Sequence, residues 1–279
     1  MKYEIYFEDY LKEIEKTLET ILPAETQHPV IIHQAMRYSV FPGGKRFRPV
    51  LTLASCEACG GKPEQAMIPS VSLELIHCYS LVHDDLPSLD NDDLRRGKLT
   101  SHKQFGEALA ILAGDGLLTL AFQVIQKVSP SDKALKLLSE ISTAAGTYGM
   151  IGGQVADLTV ATNDLTVPML DYISVHKTGK LITAAAVCGA IAAEASPESQ
   201  EHILKYGEYI GLAFQLVDDL HDHDGYLKLM GSVDIIQKVR DLIAKAKQEI
   251  RGFGAKADKL HAIADYLLQR MPQTHALDR

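Results

Sequence analysis

Cysteine is scarce in this chain. Four in 279 residues, Cys56, Cys59, Cys78 and Cys188, exclude a disulfide framework and suit a reducing cytoplasm. Cys56 and Cys59 form a C-x-x-C, yet no second pair and no His pair stands at zinc-ligand spacing, so both are expected to be buried and structural. Basic residues are also in deficit: 28 Lys and Arg against 36 Asp and Glu leave a net charge of −8. That balance lacks the electrostatic footprint of a nucleic-acid binder, and no nucleic-acid partner is expected. An acidic protein with an anionic substrate must gather positive charge locally, from bound metal or from a few clustered Arg and Lys residues. No apolar run is expected to attain the roughly 18 residues of a membrane span, and the acidic, amphipathic start MKYEIYFEDYLKEIEK is not a secretory signal. Pro/Ser-rich linkers, low-complexity stretches and solenoid repeats are missing, which leaves residues 1–279 as one domain.

Strand signals are nearly absent too. Apolar residues recur at helical spacing instead, as in Phe7, Tyr10, Leu11, Ile14 and Leu18, or Leu204, Ile210, Ala213 and Val217. Gly60-Gly61, Pro87, Gly97, Pro130, Gly152-Gly153, Pro168 and Pro197 punctuate them. The reading is one all-α domain, a single large bundle of roughly ten helices around a central cavity. The segment Leu181 to Ala193 is apolar on every side, which suits the centre of a bundle or a subunit contact.

Two acidic clusters interrupt apolar helical stretches. The first, HCYSLVHDDLPSLDNDDLRRG, holds Asp84, Asp85, Asp90, Asp92 and Asp93. Charges at this density repel, and a divalent cation is the cheapest way to tolerate them. Asp84 and Asp90 would be turned about 240° apart on an unbroken helix. Pro87 disfavours helical geometry at Leu86, so the helix should bulge or end there and let the two converge. His77 and Asp84, seven apart with Ser80 and Leu81 between them, form a stripe that should line the cavity. The second cluster, GLAFQLVDDLHDHDG, puts Asp218 and Asp222 one turn apart, with Gln215 one turn before Asp219. Such a pair suits Mg²⁺, which prefers carboxylate oxygens completed by phosphate and water.

Positive charge is concentrated at Lys45, Arg46 and Arg48 in GGKRFRP, at Arg95 and Arg96, and at Lys177 and Lys180 in HKTGKL. Arg forks and Lys point charges both bind phosphate oxygens. Gly44 allows close backbone approach, but the G-x-x-x-x-G-K-[ST] spacing is missing, so a nucleotide P-loop is excluded.

GGKRFRP, ELIHCYSLVHDDLPSLDNDDLRRG, HKQFGEALAILAGDGLL, GGQVADL, HKTGKL and GLAFQLVDDLHD together resemble the trans-isoprenyl diphosphate synthases, in particular the bacterial short-chain type that makes farnesyl diphosphate. The resemblance implies the isoprenoid synthase fold and a homodimer. Asp84, Asp90, Asp218 and Asp222 would bind three Mg²⁺ ions, with Mn²⁺ as a substitute, and Asp85 completes the first motif. Asp84, Asp85, Asp90, Asp218, Arg95 and Lys177 become the expected catalytic set. Arg95, Lys177, Thr178 and Gln215 would hold the allylic diphosphate. Gly44, Lys45, Arg48, His77 and Arg96 would hold isopentenyl diphosphate. Tyr79 and Ser80 would form the pocket floor that limits chain length, giving a C15 product rather than C10 or C20.

One segment departs from the family pattern. Asp222 is followed at once by HDGYLKLMG, where the family carries a longer loop with a Gly-Lys pair and a Lys-x-Thr-Tyr element. Either the loop is absent or a segment is missing from the chain, and Lys228 is a poor match for the loop lysine. True absence would weaken allylic binding and lid closure. The rival readings are a terpenoid cyclase or head-to-head synthase, and a non-catalytic subunit of a heteromeric prenyl synthase.

Overall fold

Helix-forming periodicity and turn punctuation partition the chain much as expected. The computed structural model describes residues 2–41, 43–160 and 165–272. Fourteen α-helical segments are present among them, ten longer than ten residues, and the described residues share one hydrophobic core. The amino-terminal part comprises α1 (Tyr3–Tyr6), α2 (Glu8–Ile21), α3 (Val30–Val40), α4 (Phe47–Ala58) and α5 (Pro63–Asp84). A two-stranded hairpin, β1 (Leu94–Arg95) and β2 (Lys98–Leu99), precedes α6 (Ser101–Phe105), α7 (Glu107–Ile125), α8 (Ser131–Ala145), α9 (Met150–Thr159) and α10 (Val167–Ile173). Then follow a π-helical turn (Ser174–Gly179), α11 (Lys180–Ala192), α12 (Pro197–Asp222), a 3₁₀ turn (Gly225–Lys228), α13 (Ser232–Glu249) and α14 (Asp258–Arg270).

Local chemistry starts and stops these helices. Pro63 opens α5, where Gln65 accepts a 2.7 Å hydrogen bond from the Lys62 N–H. Pro197 opens α12, and the Ser196 hydroxyl accepts from Ser199 N–H at 3.2 Å. Both follow the preference for Pro in a first turn whose N–H groups need side-chain acceptors. α11 is buried from Leu181 to Ala190 and packs against α4, α5, α8 and α12, the central position its all-round apolarity implied.

One expectation needs correcting. α7 is a 19-residue helix apolar enough to cross a membrane, although only 39% of that stretch is buried. The run was missed because Glu107 and Asp115 break its continuity as a string while leaving its mean hydropathy high. α7 packs on α5 and α3 as a wall of the bundle.

Both acidic clusters fall where helices end. α5 stops at Asp84, before Pro87, and the chain turns back so that the Asp90 N–H donates to the Asp84 carbonyl at 2.9 Å. α12 stops at Asp222, with His223 left-handed at φ 55°. The connection from there to α13 is short and contains the 3₁₀ turn Gly225–Lys228.

Candidate active site

Three adjoining cavities meet between the ends of α5 and α12. The first, about 340 Å³, is lined by Tyr79, Ser80, Leu81 and Asp84 from α5, and by Met150, Ile151 and Val155 from α9. The second, about 520 Å³, collects Asp90, Asp157, Asp219, Asp222 and Lys228. The third, about 360 Å³, collects Gly44, Lys45, Arg48, Arg96, Asp218 and Arg270. Lys177 and Thr178 line both the apolar and the acidic cavity, while Arg48 and His77 line both the apolar and the cationic one. An apolar compartment therefore lies between a carboxylate-rich one and an arginine-rich one.

The acidic side is organised by hydrogen bonds. Thr178 Oγ1 donates to Gln215 Oε1 at 2.8 Å, and Gln215 Nε2 donates to Asp219 Oδ1 at 2.7 Å. The Tyr226 N–H holds the other Asp219 oxygen at 3.0 Å. Burial raises the Asp219 pKa against these bonds. Lys177 Nζ is 2.6 Å from Asp157 Oδ2. The π-helical turn presents Lys177, a geometry often found where a helix carries function. Gly153 of α9 makes room for it, since a Cβ there would run into the Lys177 backbone nitrogen. Burial pushes the Asp84 carboxyl up to about 6, with Lys177 opposing and Asp90 adding to the rise.

On the cationic side, Arg46 adopts φ 47° and turns inward. It donates to Glu74 at 2.8 Å, to Glu15 at 2.7 Å and to the Val40 carbonyl at 2.9 Å. Its neighbours Lys45 and Arg48 consequently line the cavity. Arg96 and Gly97, at φ 53° and 76°, form the two-residue turn of the hairpin, whose strand twist demands positive φ at both positions. A Cβ on Gly44 would sit 2.6 Å from the Arg96 guanidinium carbon, so a side chain there would displace the guanidinium from its present position. Arg48 is buried and its Nε lacks a hydrogen-bond partner among the described residues, which marks it as a donor awaiting an acceptor. His77 is held neutral: burial lowers its pKa well below 6.5, and Arg48 and Arg96 push it further.

The expected residues are brought together with three differences. Arg95, expected at the allylic diphosphate, bonds Asp85 at 2.6 Å and faces a small side cleft with Arg96, Lys98 and Tyr38. Asp218 and Asp222 influence each other, yet Asp218 opens on the cationic cavity and pairs with Arg270 at 2.8 Å. Lys228, a poor match in register, lines the acidic cavity and pairs with Asp224 at 2.5 Å. Tyr79 and Ser80 both line the apolar cavity, and the Tyr79 ring meets His83 edge-on at 5.7 Å. Arg270 was missed altogether, because nothing local marks an arginine 52 residues beyond its partner. Cys56 is buried as expected, whereas Cys59 is half-buried.

Residues 29–242 match the polyprenyl synthetase family. The chain belongs to that family. It is a prenyltransferase of the short-chain type, as the motif resemblance implied. A geranylgeranyl diphosphate synthase of Cyanophora paradoxa is 40% identical over 92% of this chain and 93% of its own. A farnesyl diphosphate synthase of Geobacillus stearothermophilus is 42% identical over 82% of this chain and 79% of its own. The crystal structure of an FPP/GFPP synthase from Zymomonas mobilis superposes with a TM-score of 0.90 at 35% identity, covering 95% of this chain and 98% of that one. The Cyanophora alignment runs over 280 positions while covering 92% of 279 residues, so that relative carries positions this chain lacks. The curated relatives divide between farnesyl and geranylgeranyl products.

Proposed function

We propose that this protein joins isopentenyl diphosphate head to tail to dimethylallyl or geranyl diphosphate, ending at farnesyl diphosphate and releasing pyrophosphate. The observation that carries this reading is the apolar cavity bridged on one side by Lys177 to the carboxylates and on the other by Arg48 and His77 to the arginines. Two diphosphates can thus be held apart with their hydrocarbon parts meeting between them.

The donor set fits a hard divalent cation. It consists of carboxylate oxygens on a polar cavity, and Asp90 and Asp222 form no ion pair among the described residues. No three acidic, His or Cys side chains are gathered around one point among those residues, so substrate oxygens would have to complete the shell. Asp84, Asp90 and Asp222 would hold Mg²⁺ there, with Asp218 contributing from the next compartment. When bound, the metal supplies charge neutralisation to the leaving pyrophosphate.

The chain's own residues do the rest. Lys177 and Thr178 orient the allylic diphosphate at the mouth of the apolar cavity. The carbon–oxygen bond breaks, its electron pair leaves with pyrophosphate, and Leu81, Met150 and Ile151 keep water from the allylic cation. Lys45, Arg48 and Arg96 hold isopentenyl diphosphate so that its double bond attacks that cation, and the departed pyrophosphate takes up the proton whose loss forms the new double bond. His77 lines the same cavity as Arg48 and can hydrogen-bond isopentenyl diphosphate.

Incubation of the purified protein with isopentenyl diphosphate, each allylic starter and Mg²⁺, followed by mass spectrometry, tests the reading. Farnesyl diphosphate that disappears with a chelator is expected. A folded protein that elongates neither starter overturns it. Tyr79, buried on the cavity wall, supports the C15 limit, and Tyr79→Ala is expected to lengthen the product toward C20. An unchanged product would remove Tyr79 from the floor. The Cyanophora relative favours a second reading, geranylgeranyl diphosphate as the main product, which the same experiment distinguishes. A homodimer is part of the proposal, supported by the outer face of α7.

A further inference from the structure

Arg270 closes the last turn of α14, and its Nη2 donates to Asp218 Oδ1 at 2.8 Å. The contact is framed by aromatic rings. Phe214 stands one turn before Asp218 on α12, Tyr266 one turn before Arg270 on α14, and the guanidinium carbon lies 5.4 Å and 6.0 Å from the two ring centroids. Lys45 Nζ is 5.3 Å from the centroid of the same Tyr266 ring. Arg270 thus lines the cationic cavity while its charge is spent on a carboxylate of the second aspartate motif.

The other ions nearby are balanced differently. Arg46 is neutralised by Glu74 and Glu15, and the buried Arg48 Nε has no hydrogen-bond partner among the described residues. Asp218 is the acidic partner of Arg270 in this cavity, and it is also a carboxylate that the divalent-cation reading requires. One oxygen cannot serve both at full strength, since a cation on Asp218 repels the guanidinium.

We propose that Arg270 is a shared binding residue. When a divalent cation takes Asp218, the guanidinium turns into the cationic cavity and binds the non-allylic diphosphate alongside Lys45, Arg48 and Arg96. Cation binding at the second motif and diphosphate binding in the neighbouring cavity therefore strengthen each other, by reciprocity of linked equilibria. The aromatic frame keeps the guanidinium near the cavity in both positions. This inference rests on the reading of the cationic cavity as a diphosphate site.

Mn²⁺ binding to the full-length protein, followed by electron paramagnetic resonance without any diphosphate, separates this role from a structural one. Arg270→Gln is expected to bind Mn²⁺ more tightly than wild type, by about 5-fold or more, because Asp218 loses its internal competitor. In steady state the same variant is expected to raise the KM for isopentenyl diphosphate by about 10-fold while changing the allylic KM less than about 2-fold. Arg270→Lys should restore part of both effects, and a thermal melt checks that each variant is folded. A purely structural contact would weaken Mn²⁺ binding and raise both KM values together. Mn²⁺ affinity that does not rise in Arg270→Gln, or that is undetectable in both proteins, overturns the proposal. A wild type that elongates no substrate defeats the assigned reaction, whereas turnover with unchanged Mn²⁺ affinity defeats only the role of Arg270.

Discussion

Burial raises the Asp84 carboxyl to about 6; Lys177 opposes the shift, and Asp90 reinforces it. A raised carboxyl pKa means that the ionised form is harder to fold around than the neutral one. The favourable contribution of the neutral form is fully present below the ordinary value of 3.8 and is lost as pH rises through about 6. Asp84→Asn cannot ionise, so in chelator it should nearly match the wild type in melting temperature near pH 4, exceed it increasingly between pH 4 and about 6, and keep a constant margin above that. Prenyl transfer should be lost in the same variant, the exchange of stability for function expected of a strained site. A melting difference that stays constant from pH 4 to 8 would refute this account of Asp84. Arg46 makes the opposite case. Its side chain is 0% exposed and that of Glu74 is 2% exposed. Removing one partner of a buried ion pair leaves a bare charge, at a cost of about 3–5 kcal/mol. Arg46→Met should lower the urea midpoint accordingly and weaken isopentenyl diphosphate binding, because Lys45 and Arg48 lose their fixed turn. A midpoint within error of wild type would show that Glu74 has another partner.

At the scale of elements, α9 and the π-helical turn form the mount for Lys177, and Gly153 sets their distance. Gly153→Ala should push α9 away from the Lys177 backbone. Small displacements of a positioning group can cost up to about 100-fold, so the allylic KM should rise well above the isopentenyl KM. Equal changes in both would show a general loosening instead. The helices themselves were legible in the sequence: α2 from Tyr10, Ile14 and Leu18, α11 from its unbroken apolarity, and the end of α5 from Pro87. So were most of the charged residues that line the three cavities, because paired aspartates and clustered arginines have few other uses in a core-like setting; Arg270, Asp157 and the apolar wall of α9 were not, since no local motif marks them. The π-helical turn was not legible, since HKTG carries no five-residue signature and the bulge is imposed by the packing of α9 and α12. The 3₁₀ turn after Asp222 was equally hidden. It is fixed by the Tyr226 hydroxyl on Asp171 at 2.5 Å and by Asp219 on the Tyr226 N–H, contacts that span up to 55 residues. That anchoring gives the shortened connection an ordered form, with Lys228 on the acidic cavity.

At the scale of the whole molecule, α7 poses the remaining physical problem. Its inner side is buried against α5 and α3, yet Ile111 and Leu112 on its outer side are 44% and 54% exposed. Leucine and isoleucine side by side on the outside of a core helix are costly in water, and burial of each would recover roughly 1.5–3 kcal/mol. A lipid environment is a poor solution, because Asp115 stands exposed one turn further along the same face. A second copy of the chain is a good one: a two-fold contact sets this face against itself, and the Asp115 pair can remain at its rim. Sedimentation velocity of the wild type should therefore give a particle of about twice 30.6 kDa at micromolar concentration. Ile111→Glu combined with Leu112→Glu should shift it to the single-chain mass while preserving the helical circular dichroism signal, because neither side chain belongs to the buried side of α7. A wild type that sediments as a single chain would mean that the exposed apolar face has some other use.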